Sequence, residues 1–247
     1  MNKAINIQTG DLTGATLLLD YETPEIRMLV AKHGWKNRPE FERIGAVYDF
    51  VRNDIQFGYS RADDIPASEI LANGYGQCNT KATLLMALLR AVGVACRLHG
   101  FTIKKELQRG VVPEPVFGIA PENILHSWVE IKFDGAWLNL EGFILDDAYL
   151  AQIQNRFQGE TLCGWGVGTN ALSNPKVNWS GVDTYIQQTG INNDFGVFAT
   201  PDQFYAVHQQ DFSVGKKLLY QYIIRHWMNR RVQRIRLGTF FKDPAKG

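Results

Sequence analysis

Cys78 is the first residue whose surroundings could support chemistry. It follows the turn-forming stretch Asn73-Gly-Tyr-Gly-Gln77 and opens a long apolar run. Gly74 and Gly76 permit a tight turn, which would deliver Cys78 to the first turn of a helix. Unpaired N–H groups and the positive end of the helix dipole favour an anion there, and a thiolate is such an anion. The Cys78 N–H could also face a developing oxyanion. Downstream, His126 opens a strand-like segment. An imidazole beside a cysteine can take its proton, or form an ion pair with it, and later protonate a leaving amine. Glu141 lies past the partner of that segment, so a hairpin would return it to His126. A carboxylate there would fix the imidazole tautomer and stabilise its charged form. Asn139 and Asp146 are alternative orienting groups.

Several elements must position these groups. A strand is expected at residues 16–20, and Pro24 opens a helix that Gly34 ends. Residues 39–57 read as a second helix, because Phe41, Ile44, Val47, Tyr48, Val51 and Ile55 recur at intervals of three and four. A short helical turn is expected at 67–71. Residues 78–92 are apolar nearly all round, so this helix belongs in the core, with Gly93 as its stop. Residues 95–103 read as a strand. Residues 127–133 and 136–140 read as a hairpin around Asp134-Gly135. Helix first and antiparallel strands after is an α+β pattern. The Gly-, Asn- and Thr-rich residues 158–198 read as a long ordered loop or lid, and 214–237 as a terminal helix.

Three blocks occur in order: Gly74-Tyr-Gly-Gln-Cys78 with Ala82, Leu84, Ala87, Leu88, Arg90, Gly93 and Arg97; His126-Ser-Trp128-Val-Glu130; and Asp134-Gly-Ala-Trp137 with Leu140. Together they resemble the transglutaminase-like core over roughly residues 40–145. The resemblance implies a papain-like α+β fold, with a buried helix carrying the nucleophile packed on an antiparallel sheet. It also implies a Cys-His-Asp triad in this chain order. Glu141 stands where the family usually carries Asp, and the longer side chain reaches the imidazole if the backbone withdraws by about one C–C bond length. On this reading residues 1–247 form a single transglutaminase-like domain, with a core near 40–145 and a C-terminal extension over 158–247.

An oxyanion site needs a second donor besides the Cys78 amide. Gln77, Trp35, Tyr59 and Trp165 are candidates, and the resemblance suggests a donor upstream of the cysteine. Trp128, Trp137 and Trp165 could dry the cleft. Cys96 lies in an apolar strand and reads as core. The stretch around Cys163 reads as a glycine-rich structural turn rather than a cleft wall. No cysteine pair has metal-ligand spacing. The acidic pairs Asp63-Asp64 and Asp146-Asp147 read as solvated turns, so neither metal nor cofactor is expected. The terminal helix carries Lys216, Lys217, Arg225, Arg230, Arg231, Arg234 and Arg236. It is expected to dock through the row Leu219, Ile223 and Trp227. The alternative is a basic face for an acidic partner or a membrane surface.

Composition narrows the classes. The chain has 247 residues, 45% hydrophobic and 21% charged, with a net charge of +1. That fits an ordered globular protein and gives no general case for nucleic-acid binding. No run is long enough to cross a bilayer, and the N-terminus has no leader-like pattern. Three cysteines do not make a disulfide framework, so a cytoplasmic setting is expected. The chemistry these groups specify is acyl transfer through a Cys78 thioester on an amide or peptide-like substrate. The acceptor is water or an amine. The alternative is a peptide-binding or scaffold module that uses the fold without turnover.

Overall fold

A helix that is apolar on every side needs other elements wrapped around it, and this fold is organised about one such helix. The computed structural model describes residues 11–118, 120–210 and 214–241; the first ten, part of the stretch read for a leader, lie outside them. Helices α1 (Pro24–His33) and α2 (Glu40–Asp49) come first, the second prolonged by a π-turn, Phe50–Asp54. Two short parallel strands, β1 (Gln56–Phe57) and β2 (Tyr75–Gly76), flank α3 (Ala67–Asn73). They lead into α4 (Cys78–Ala91), buried from Cys78 through Arg90. There follow β3 (Cys96–Lys104), α5 (Glu114–Phe117), β4 (Asn123–Phe133), β5 (Ala136–Leu140) and α6 (Asp147–Arg156). A small hairpin of β6 (Leu162–Gly164) and β7 (Val167–Thr169) precedes β8 (Ile191–Phe198) and α7 (Pro201–Val207). The described chain closes with α8 (Val214–Leu219), a π-turn at Tyr220–Ile224, and α9 (Arg225–Arg236).

The main sheet has the order β5-β4-β3-β8, with every pair antiparallel. The β4–β5 turn uses Asp134 and Gly135, both left-handed with φ of 47° and 78°, which matches the twist of a two-residue hairpin. Helix α4 lies across β4 and β3. The α+β arrangement of a buried helix on an antiparallel sheet is therefore the one expected from the sequence. Two glycines ahead of α4 act differently. Gly74 adopts a left-handed φ of 68°. Gly76 makes room instead, since a Cβ there would come within 2.6 Å of Thr80 Oγ1.

Four expectations need correction. Residues 16–20 are not a strand: the Thr16 N–H turns back to Leu19 O at 3.2 Å, and Asp202 of α7 accepts from the Leu18 N–H at 3.1 Å. The helix expected over 39–57 stops being α-helical at Asp49, and its last residues become β1. The 158–198 stretch is not only loop, because it supplies β6, β7 and β8, the last an edge strand of the main sheet. Its Asn192, Asn193 and Asp194 are exposed and its register slips twice against β3, which hides the alternation that marks a strand. The terminal helix docks through Ile224, Met228, Val232 and Ile235, while Leu219, Ile223 and Trp227 stay exposed. Two apolar rows run side by side along this helix, and the one the fold covers begins one residue later, at Ile224. Among the described residues no helix is long and apolar enough to cross a membrane.

Candidate active site

The site forms where the first turn of α4 meets β4. The join is made by Asn79, which is 1% exposed. Its Nδ2 donates to Leu125 O at 3.0 Å, and its Oδ1 accepts from the Ser127 hydroxyl at 3.0 Å. One side chain next to Cys78 thus grips both neighbours of His126 and sets the register between cysteine and histidine. The turn itself is capped by Gln77 and Thr80: the Gln77 N–H donates to Thr80 Oγ1 at 3.1 Å. Replacing Asn79 with leucine keeps the number of side-chain heavy atoms, removes both bonds and costs the buried Leu125 carbonyl and Ser127 hydroxyl a partner each. The expected loss is about 2–4 kcal/mol of stability, together with slower alkylation of Cys78. Denaturant unfolding and the rate of iodoacetamide capture measure the two effects.

His126 and Glu141 are both fully buried. The imidazole Nε2 lies 3.0 Å from Glu141 Oε1. The other carboxylate oxygen, Oε2, accepts the backbone N–H groups of Ile186 and Gln187, each at 2.9 Å. The extra methylene of glutamate lets one carboxylate bridge the imidazole and the 186–187 backbone. The remaining ring nitrogen, Nδ1, has no nitrogen or oxygen partner and is left for Cys78. Burial opposes charging of the ring. The Cys78 sulfur outweighs it, first by its negative charge and then by hydrogen bonding, with Glu141 adding to both; the His126 pKa rises from 6.5 to about 10. This arrangement can hold an imidazolium beside a sulfur in a dry setting and return a proton to a leaving group.

Cys78 is 7% exposed and lines a cleft of about 290 Å³. The walls are largely apolar, including Val112, Val116, Ile124, Leu125, Ile224 and Met228. Three phenols stand around the sulfur. Tyr59 donates its O–H to Gln108 Oε1, and Tyr220 donates to Ser60 O at 3.1 Å. Tyr205 of α7 lines the same cleft, and its buried hydroxyl has the Ser127 side chain as its polar neighbour. Burial, and then the negative charges of Asp63 and Cys78, keep this phenol well above its usual pKa, so it stays a donor.

The other residues singled out in the sequence lie elsewhere or are already engaged. Gln77 lines the cleft, but its Oε1 accepts from the Ser60 N–H at 2.8 Å and its Nε2 donates to Asp63 at 2.9 Å. Trp35 is buried against His33 and Phe50, away from the cleft. Trp165 packs against Phe240 and Phe241. Trp128 packs tilted against Phe101 on the sheet, and the Arg97 guanidinium lies over Trp137, 3.8 Å from its ring centre. None of these four tryptophans lines the cleft. Asn139 bonds Asp183 and Tyr185, and Asp146 caps α6 while pairing with Arg236 at 2.7 Å, so neither turns toward His126. Cys96 is fully buried, and burial pushes its thiol up to about 11. Cys163 is exposed in β6, with its thiol also raised by partial burial. Among the described residues no three His, Cys, Asp or Glu side chains gather to hold a metal ion.

Asn79, which joins α4 to β4, and Tyr205, which lines the cleft, are not singled out by the sequence. Asn79 has a signal: it stands with Thr80, Lys81, Thr83 and Arg90 as polar residues in an otherwise apolar buried helix. Tyr205 has none, since it sits on a seven-residue helix far along the chain.

A buried helix delivering a cysteine to a histidine on an antiparallel strand defines a class of fold and site, and a family model matches that part of the chain. Residues 27–142 match the family model of the transglutaminase-like superfamily. No curated protein matches the chain. A solved structure from Cytophaga hutchinsonii, of a protein named as a candidate cysteine protease, is similar over 77% of this chain, at 12% identity and a TM-score of 0.45. The chain spans about half of that protein, 47% of its length.

Proposed function

We propose that this protein is a cysteine-dependent acyl-transfer enzyme that cleaves an amide or peptide-like substrate, with Cys78 as nucleophile, His126 as acid and base, and Glu141 as orienting carboxylate. One observation carries the reading: Cys78 opens α4 at a cleft, beside a buried imidazole whose far nitrogen is held by Glu141. The thiolate attacks the carbonyl carbon, and the carbonyl oxygen becomes an oxyanion facing the Cys78 N–H. The C–N bond then breaks as His126 gives its proton to the departing amine, leaving a thioester on Cys78. Water attacks the thioester, His126 takes its proton, and the acid leaves with the thiolate restored. An amine entering instead of water gives an amide by the same steps. The apolar lining of the cleft supports an acyl donor with an apolar side group.

Turnover of a panel of p-nitrophenyl esters and N-acyl amides, with and without an added primary amine, tests this reading. The intact protein is expected to release the free acid, and Cys78→Ala to lose at least about 10³-fold in kcat/KM. An amide product in the presence of the amine would assign transfer rather than hydrolysis. Equal rates for the two proteins would overturn the proposal.

In this reading Tyr205 supplies the second hydrogen bond to the oxyanion, because Tyr59 and Tyr220 already donate to carbonyl oxygens whereas Tyr205 has only the Ser127 side chain beside it. Tyr205→Phe is expected to lower kcat by about 10²-fold while KM changes little, as for loss of one preorganised donor. Circular dichroism checks that the fold persists. An unaltered kcat would remove Tyr205 from the mechanism.

A further inference from the structure

The helical run from Val214 to Arg236 has two apolar faces, and only one is used by the fold. Ile224, Met228, Val232 and Ile235 are buried. On the outside, Leu218, Leu219, Tyr222, Ile223 and Trp227 are 50%, 40%, 72%, 59% and 46% exposed. Large apolar side chains exposed singly need no explanation, but five on one short helical run form a patch that marks an interaction surface. Charge gives its character. Residues 214–237 carry seven Lys and Arg and no Asp or Glu, although the whole chain is only +1. Lys216 and Lys217 are exposed just ahead of the apolar patch, and Arg230 is exposed just after it.

We propose that this face docks on an anionic lipid surface. The Leu, Ile, Tyr and Trp side chains enter the boundary between headgroups and acyl chains, and the flanking cations lie against the headgroups. Trp and Tyr settle at that boundary because their rings are apolar and their N–H and O–H groups can stay wet. A lipid surface accepts an outward-facing helix without a complementary groove, which an acidic protein partner would have to supply. Lys216, Lys217 and Leu219 also line the cleft that holds Cys78, so docking brings the cleft mouth to the lipid–water boundary. That the substrate is then drawn from the membrane rests on the function proposed above; docking itself does not.

Flotation of the full chain, carrying Cys78→Ala to remove turnover, tests the inference. The probes are vesicles of phosphatidylcholine alone and vesicles containing about 30% phosphatidylserine. The protein is expected to float with the anionic vesicles at least about tenfold more than with the neutral ones, and high salt should reduce the bound fraction. The double variant Ile223→Asp/Trp227→Asp is expected to reduce binding to the anionic vesicles at least about tenfold, with the circular dichroism spectrum unchanged. Neither residue lines the Cys78 cleft. Failure of the parent protein to float, or equal flotation by the double variant, overturns the inference. So does binding of poly-glutamate, or self-association, that the double variant abolishes in the absence of any vesicle binding. Because the parent already lacks the Cys78 sulfur, none of these outcomes depends on whether the cysteine is a nucleophile.

Discussion

Glu141→Gln is expected to lower the rate of acyl transfer by about 10³–10⁴-fold while leaving the protein folded. The cause is a change of tautomer. In the native site Glu141 Oε2 accepts two backbone N–H groups, from Ile186 and Gln187 at 2.9 Å each. Two donors aimed at one position compel the new amide to place its oxygen there. Its NH2 then faces His126 Nε2, where a carboxylate oxygen stood at 3.0 Å. A neutral imidazole facing a donor must accept at Nε2, so its own proton moves to Nδ1, toward Cys78. A ring protonated on that side cannot take the cysteine's proton. Steady-state kinetics paired with denaturant unfolding separates this effect from misfolding. A rate within about tenfold of the parent would show that Glu141 does not set the tautomer.

The second large effect belongs to His126. In His126→Ala the sulfur loses both its proton acceptor and its counter-charge, and capture by iodoacetamide at neutral pH is expected to slow by about 10²–10³-fold. The pH dependence should change as well. Because the folded pKa lies above the ordinary 6.5, at about 10, the native site binds a proton there that the unfolded chain has released. The stabilisation from this group is complete below about 6.5 and is lost as pH rises through about 10. Acyl transfer should fall over the upper end of the same window, as the acid that protonates the leaving amine disappears. Unfolding free energies measured from pH 6 to about 10.5 should decline in the parent more steeply than in His126→Ala. Parallel pH profiles for the two proteins, or undiminished alkylation in the variant, would contradict the assigned pairing.

Much of this geometry was legible in the sequence because its signals were local and redundant. The glycine turn before Cys78 and the apolar run after it both point to a helix start in the core. The Asp134-Gly135 turn fixes a hairpin, and a hairpin returns Glu141 to the neighbourhood of His126. What the sequence hid depended on contacts distant in the chain or on irregular backbone. The two N–H groups that hold Glu141 come from residues 186 and 187, in a stretch with no periodicity of its own. Strand β8 is an exposed, bulged edge, so its inward residues do not alternate cleanly. The docking face of the C-terminal helix is hidden because two apolar rows lie side by side, and spacing alone does not say which one the fold covers. Tyr205 gains significance only from the cleft, since its hydroxyl, unlike those of Tyr59 and Tyr220, does not donate to a carbonyl oxygen.

The most direct test is to catch the acyl group in place. Brief incubation with an excess of an activated acyl ester at pH 7, acid quenching, and peptide mass spectrometry would locate any thioester. The expected adduct lies on the peptide holding Cys78, because Cys96 is fully buried with its thiol raised to about 11 and Cys163, though exposed, has a raised thiol and no histidine bonded to it. It should disappear on exposure to a primary amine and be absent from Cys78→Ala. Acyl groups found on Cys163 alone, or no thioester at any cysteine under conditions of turnover, would contradict the assignment of Cys78 as nucleophile.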